Sequence, residues 1–98
     1  MATGSTKKLT SVGYVDVVLT SQYVTADGLT ALVLNQSFPQ KVLDVQIKRA
    51  WPLETWTGGA IVSIVQWDYD DSIETVSVTL STTSVQSYGI TFRVFYEE

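Results

Sequence analysis

Histidine and cysteine are both absent from the 98 residues of this chain. Histidine is the usual general base near neutral pH and the commonest metal ligand, while cysteine supplies thiolates and disulfides. Without them, Ser-His-Asp and Cys-His nucleophilic sites, zinc sites and iron–sulfur clusters are excluded. We expect a protein that is not an enzyme and that holds no cofactor. The enzymatic alternative is histidine-free acid–base chemistry by the carboxylates of Asp68 and Asp70.

Charge is scarce as well. Charged residues make up 16% of the chain, against about 25% in ordinary soluble domains. Thirteen threonines and ten serines take their place, beside fourteen valines. Such a surface favours a domain that neighbouring chains largely cover, although a β-protein that simply prefers threonine remains the alternative.

The net charge is −4, and two of the six basic residues, Lys7 and Lys8, lie in the N-terminal segment. The remainder has four basic and ten acidic residues, a balance of −6. A body of this sign is repelled by nucleic acid and by anionic lipid, so we expect neither as a partner. MATGSTKK lacks the apolar region of a secretory signal, and no apolar run reaches the roughly 18 residues of a membrane span.

Residues 1–8 are small and polar, which predicts a flexible N-terminal arm. Residues 9–98 are predicted to form one β-sandwich domain, because apolar and polar side chains alternate through most of this range. The alternation is clearest at Val76, Val78 and Leu80. It is equally clear in the terminal strand, at Ile90, Phe92, Val94 and Tyr96.

Other segments are less regular. Leu43, Val45, Ile47 and Trp51 share one face of a predicted strand, and the segment 61–67 is apolar on both faces, as in a central strand. Asp27-Gly28 predicts a two-residue hairpin turn before the segment 29–34. That segment is predicted to be a strand, with a short helix as the alternative.

Six or seven short strands in about ninety residues predict an all-β fold, a single-domain antiparallel β-sandwich of immunoglobulin-like or jelly-roll architecture. A small β-barrel is the alternative.

Carboxylates crowd one predicted turn, which makes a weak calcium candidate of Asp68, Asp70, Asp71 and Glu74. The spacing does not match an EF-hand, because the required glycine and the glutamate at position twelve are missing. The favoured interpretation is a solvated turn whose aspartates bond local backbone amides, and we expect no metal.

Apolar residues at positions that should face water indicate an interface. Val12, Tyr14 and Val18 lie on the polar side of the first predicted strand, and Phe95 on that of the last. Phe38 lies beside Pro39 in a predicted loop. Trp51 and Trp67 are expected in the core, whereas Trp56 lies in a glycine-containing loop and is either a buried plug or an exposed contact residue.

Two functions follow. The favoured one is a structural domain that acts through protein–protein contacts, with self-association or incorporation into a larger assembly. The alternative is a carbohydrate- or peptide-binding module that uses loop aromatics such as Trp56, with Glu54 nearby.

The chain combines the polar segment MATGSTKK, the strand Thr75-Val76-Ser77-Val78-Thr79-Leu80, the terminal strand Ile90 to Tyr96 and the lack of histidine and cysteine. In these features it resembles small structural proteins of tailed-bacteriophage virions, such as head-decoration, neck or tail subunits. The resemblance implies a homo-oligomeric capsid- or tail-bound subunit, assembled in the host cytoplasm and located in the virion, with its arm on a neighbour. The resemblance assigns no functional role to any residue of this chain.

Overall fold

The computed structural model describes residues 11–54 and 60–98. Within these ranges the chain forms six β-strands and no helix. The strands are β1 (Val12–Val24), β2 (Thr30–Val33), β3 (Val42–Pro52), β4 (Val62–Asp70), β5 (Thr75–Thr82) and β6 (Gln86–Glu97). No helix long and apolar enough to cross a membrane occurs in this part of the chain.

The strands form two three-stranded antiparallel sheets, with the orders β1-β6-β3 and β2-β5-β4. The sheets pack face to face around one apolar core. The predicted all-β sandwich is therefore confirmed. Three of its strands have 11 to 13 residues and are longer than expected.

The core lies between the two central strands, β5 and β6. Val76, Val78 and Leu80 of β5 are at most 1% exposed, and Ile90, Phe92 and Val94 of β6 are fully buried. The intervening residues of β5 are serines and threonines, which face outward and remain partly exposed. The alternation predicted for both segments is confirmed, since a central strand must hold one apolar face against the opposite sheet.

The Asp27-Gly28 turn is present, but it does not close a hairpin. β1 pairs with β6 and β2 pairs with β5, so this turn carries the chain from one sheet to the other. The Asp27 carboxylate accepts hydrogen bonds from the Thr25 hydroxyl and the Leu29 amide, and Gly28 has a φ of 74°. Hydrogen bonds to the Asp27 side chain therefore hold this turn, whereas a hairpin turn is held by backbone hydrogen bonds between the two strands that it joins. The segment after it is the strand β2, as predicted, and not a helix.

The strand registers shift at four places, including Leu19 to Gln22 in β1 and Val42 to Asp44 in β3, and two further β-bulges change the predictions made from the alternation. In β3 the register shifts between Ile47 and Arg49, and in β4 it shifts between Ile64 and Gln66. Each bulge adds one residue that lacks a partner on the neighbouring strand and reverses the alternation beyond it. The prediction of a central strand at 61–67 is wrong, because β4 is an edge strand in which Val65 is the extra, exposed residue.

The bulge in β3 also corrects the prediction for Trp51. Ile47 packs against the core, but Trp51 pairs with Gly89 and its indole covers that glycine on the outside of the sheet. Trp67 lies beyond the bulge of β4 and packs against the core, as predicted.

Candidate protein interface on the outer face of the β1-β6-β3 sheet

The outer face of the β1-β6-β3 sheet is rich in aromatic and apolar side chains. Register places them together, since directly paired residues of antiparallel strands project from the same side. Tyr14 pairs with Phe95, Asp16 with Arg93, and Val18 with Thr91. On the other side of β6, Arg49 pairs with Thr91 and Trp51 with Gly89. We call this surface the aromatic face; it consists of Val12, Tyr14, Asp16, Val18, Asp44, Gln46, Lys48, Arg49, Trp51, Gly89, Thr91, Arg93, Phe95 and Glu97.

Much of the apolar surface of the aromatic face is open to solvent. Val12, Tyr14 and Val18 are 57%, 55% and 54% exposed, although all three belong to a regular strand. Phe95 is half-buried, with its ring centroid 6.1 Å from that of Tyr14. The outward orientation predicted for these four residues is confirmed, and along β1 the Asp16 carboxylate lies between the exposed side chains of Tyr14 and Val18.

An ion cluster lies at the centre of the face. Arg93 donates through Nε and Nη2 to both oxygens of Asp16, at 2.9 and 3.1 Å. Lys48, the extra residue of the β3 bulge, reaches over β6 and donates to the same carboxylate at 3.1 Å. The hydrogen bond from Arg93 is the main reason that the pKa of Asp16 falls to about 2. Asp16 is therefore ionised over the whole physiological pH range and orients both cations.

Arginine side chains also hold the aromatic rings in place. The Arg93 guanidinium lies 4.2 Å from the centroid of the Tyr14 ring, and that of Arg49 lies 5.1 Å from the centroid of the Trp51 ring. Cation–π contacts of this kind restrict the orientations of the two rings. An aromatic contact residue that is ordered in advance loses less conformational entropy on binding.

The remaining interface candidates have different environments. The prediction for Phe38 is wrong: its side chain is 3% exposed and belongs to the core. The Phe38 amide donates to the Glu74 carbonyl, and its carbonyl accepts from the Tyr69 hydroxyl. This loop bonds to the β4–β5 turn, which turns its phenyl group inward. Trp56 and the predicted arm at residues 1–8 lie outside the described residues.

The acidic turn does not assemble a metal site in the described residues. Asp70 accepts hydrogen bonds from the Ser72 amide and hydroxyl, which lower its pKa. Glu74 accepts from the Ser37 hydroxyl. No three potential ligand side chains are grouped as a metal would require within residues 11–54 and 60–98. For Asp70, the prediction that the aspartates of this turn accept hydrogen bonds from local backbone amides is confirmed.

A second surface feature is an open cleft between β3 and β4, of about 750 Å³. Trp67, Tyr69, Val42 and Pro39 provide its apolar lining, and Lys41, Asp68 and Asp71 its charges. Burial and the charges of Glu74, Asp71 and Asp70 raise the pKa of Tyr69, whose hydroxyl stays protonated and donates to Phe38. Sequence patterns did not indicate this cleft, because it depends on how two edge strands from different sheets approach each other.

Comparison with known proteins found no matching family model, no matching curated protein and no matching solved structure.

Proposed function

We propose that this chain is a non-enzymatic structural domain that acts through protein–protein contacts, with the aromatic face as its contact surface. The observation that carries the proposal is that Val12, Tyr14 and Val18 are each more than half exposed on one strand face. Two-layer sandwiches bury one face of each sheet, and a group of exposed apolar side chains on an outer face, here on both sides of the Asp16–Arg93 ion pair, is typical of a surface that another polypeptide covers. The rings fixed by Arg49 and Arg93 match the aromatic and arginine anchors that dominate interfaces.

The setting we propose is the virion of a tailed bacteriophage, as a capsid-decoration, neck or tail subunit. Its support is the resemblance in composition and strand character, together with the low content of charged residues. Genes for capsid, portal or tail proteins beside this gene would support the virion setting. A neighbouring glycosidase gene would favour carbohydrate recognition.

The contact surface is tested with the double variant Tyr14→Ser/Val18→Ser. Both side chains are exposed, so the fold is expected to remain while self-association is lost. Sedimentation velocity over a wide concentration range measures association, and far-UV circular dichroism checks folding. Leu29→Ser/Val85→Ser is the matched control, because these apolar residues are 76% and 48% exposed and lie off the aromatic face. A wild-type protein that stays monomeric, or equal behaviour of the two double variants, would contradict the proposal.

A second candidate function is recognition of a small polar ligand, such as a sugar, in the cleft between β3 and β4. The cleft combines an aromatic lining with the charged groups of Lys41, Asp68 and Asp71, which is the usual composition of a ligand pocket. Glycan-array binding by the wild type that Lys41→Ala and Asp71→Ala both abolish would support this function. An array without signal for the wild type argues against it.

A further inference from the structure

Each sheet ends in two edge strands, and within residues 11–54 and 60–98 three of these four strands have features that hinder pairing with another chain. β2 has only four residues. β4 has the bulge at Val65 and two aspartates near its end, and β3 has two register shifts, the extra Lys48 and the terminal Pro52. Short length, bulges, charged residues and proline are the usual means by which proteins protect the edges of their sheets.

The edge strand β1 lacks these features from Val12 to Leu19. This segment keeps one register with β6 throughout, contains no proline and has Asp16 as its single charged residue. On its other side β1 pairs with no strand in the described part of the chain. We call this side of the segment Val12–Leu19 the free edge. A regular edge of this kind can accept a further strand through backbone hydrogen bonds.

The pairing with β6 shows which backbone groups belong to the free edge. The Glu98 amide donates to the Ser11 carbonyl, so the backbone groups of Ser11 point towards β6. In an antiparallel ladder this direction alternates from one residue to the next, and the register is constant up to Leu19. The amides and carbonyls that point away from β6 are therefore those of Val12, Tyr14, Asp16 and Val18.

These four residues are complementary to a second copy of themselves. If two β1 strands run antiparallel with Val15 opposite Val15, Val12 of each copy pairs with Val18 of the other, and Tyr14 pairs with Asp16. Every amide and carbonyl of the free edge then has a partner. Centring the pairing on Asp16 would place two like charges directly opposite each other, which is unfavourable, and centring it on Tyr14 would carry Val18 past the start of the opposing segment.

We propose that two copies of this chain form a symmetric dimer through antiparallel pairing of their free edges, with Val15 at the twofold axis. The inference rests on the proposed function and specifies the partner as a second copy. The two three-stranded sheets become one sheet of six strands, and the two aromatic faces become one surface. Val12 and Val18, each more than half exposed in the single chain, then cover each other across the junction. Because a twofold contact is closed, this edge produces a dimer and not a filament.

The register is tested by disulfide cross-linking, because the chain contains no cysteine of its own. Val12→Cys and Val18→Cys change exposed side chains, so both proteins are expected to fold, which circular dichroism verifies. In the dimer these two positions lie opposite each other, about 5.5 Å apart between Cα atoms, a separation at which disulfides form. The two copies of position 12 lie six residues apart along the strands, or about 20 Å at roughly 3.3 Å per residue.

An equimolar mixture of the two proteins under mild oxidation is therefore expected to form abundant mixed disulfide dimers, whereas either protein alone forms few. Non-reducing electrophoresis measures the yield, and mass spectrometry separates mixed from like pairs when one protein is isotopically labelled. Leu29→Cys is the control for random collisions, because Leu29 is exposed and lies off the aromatic face. Mixed pairs that form no faster than like pairs or than pairs with the control overturn the proposed contact.

The backbone hydrogen bonds are tested with Val18→Pro. This substitution removes an amide from the free edge and none from the ladder with β6, a position at which edge strands tolerate proline. Association is expected to weaken by roughly tenfold or more, because the symmetric contact loses the hydrogen bond twice. Val18→Thr is the matched control, since it keeps the amide and the branched side chain, and is expected to associate within a few-fold of the wild type. Equal association of the two variants in sedimentation velocity contradicts edge pairing.

Failure of this inference can be told apart from failure of the proposed function. If cross-linking shows no preference for mixed pairs while Tyr14→Ser/Val18→Ser is monomeric and the wild type associates, the aromatic face is an interface but the free edges do not pair. If the wild type itself stays monomeric at every concentration, both ideas are wrong.

Discussion

At the scale of single residues, Asp16 connects the three strands of one sheet. It lies on β1, Arg93 on β6 and Lys48 on β3, and both cations donate to its carboxylate. The side chains of Asp16 and Arg93 are partly exposed, at 28% and 27%. The cluster therefore orients the arginine beneath Tyr14 more than it stabilises the fold, because solvent weakens exposed ion pairs.

The depressed pKa of Asp16 predicts a pH dependence of stability. Its pKa is about 2 in the folded chain against an ordinary value of 3.8. The stabilisation is thus fully present above pH 3.8 and is lost as the pH falls towards 2, because the unfolded chain takes up the proton first. Asp16→Asn is expected to show a smaller fall in melting temperature over this window. Thermal unfolding from pH 2 to 6 measures it, and a constant difference between the two proteins would contradict the assignment.

Gly89 allows the Trp51 indole to lie flat against the sheet. A Cβ at this position would be 2.2 Å from two ring carbons of Trp51. Gly89→Ala is therefore expected to displace the indole, to lower the free energy of unfolding by about 1–3 kcal/mol and to shift tryptophan emission to the red. Ser87→Ala, the neighbouring outward position of β6, is the control. Stabilisation by Gly89→Ala, the ordinary effect of replacing a strand glycine, would show that the ring does not occupy this place.

At the scale of the strands, the bulges at Lys48 and Val65 decide which of the residues beyond them face the core. After Ile64, the extra Val65 allows Trp67 and Tyr69 to face inward although they follow at odd spacing. In β3, Lys48 has the same effect and turns Arg49 and Trp51 outward. Bulges of this kind are frequent in edge strands, where they also disturb pairing with another chain.

We expect that deleting the extra residue of a bulge preserves the fold, whereas deleting a residue from a regular strand does not. Deleting Val65 joins the pairs of Ile64 and Gln66 into a continuous register, so every other side chain of β4 keeps its face and the domain is expected to fold. Deleting Thr79 from β5 must turn either Val76 and Val78 or Leu80 outward. Exposing such buried side chains costs about 1.5–3 kcal/mol each, a large part of the roughly 5–15 kcal/mol that usually stabilises a domain.

Urea unfolding of the two deletion variants measures the difference. The protein that lacks Val65 is expected to unfold cooperatively, with the same dependence of unfolding free energy on urea concentration as the wild type. The protein that lacks Thr79 is expected to show no cooperative unfolding transition. Loss of cooperative unfolding in both proteins would show that the bulge is required for the fold.

At the scale of the whole molecule, chain connectivity makes most contacts long-range. Of the connections among the six strands of the described residues, β4–β5 is the one that joins neighbours in the same sheet. β1 pairs with β6, so the two ends of the domain lie side by side and the Glu98 amide donates to the Ser11 carbonyl. The first sheet cannot close until almost the whole chain is present.

This topology predicts slow folding. β-Sandwiches dominated by non-local pairing fold within milliseconds to seconds, because the entropy of closing long loops is lost before contacts compensate it. Stopped-flow refolding followed by tryptophan fluorescence is expected to show a relaxation in that range at low protein concentration. A microsecond relaxation would mean that the local β4–β5 hairpin governs folding.

The sequence alone determined the fold class, the buried faces of β5 and β6, and the outward orientation of Val12, Tyr14 and Val18. These features depend on a period of two within one continuous strand, and such a period is visible wherever no bulge interrupts it. The acidic turn was also identified, since its carboxylates are consecutive or nearly so.

Only the tertiary structure decided the rest. The outward position of Trp51 depends on a bulge whose place is set by the partner strand, and the burial of Phe38 depends on hydrogen bonds between its loop and the β4–β5 turn. The meeting of Asp16, Lys48 and Arg93 requires the order β1-β6-β3. Strand order and register depend on packing between segments that are far apart in the chain, so they cannot be predicted from the local alternation of apolar and polar residues.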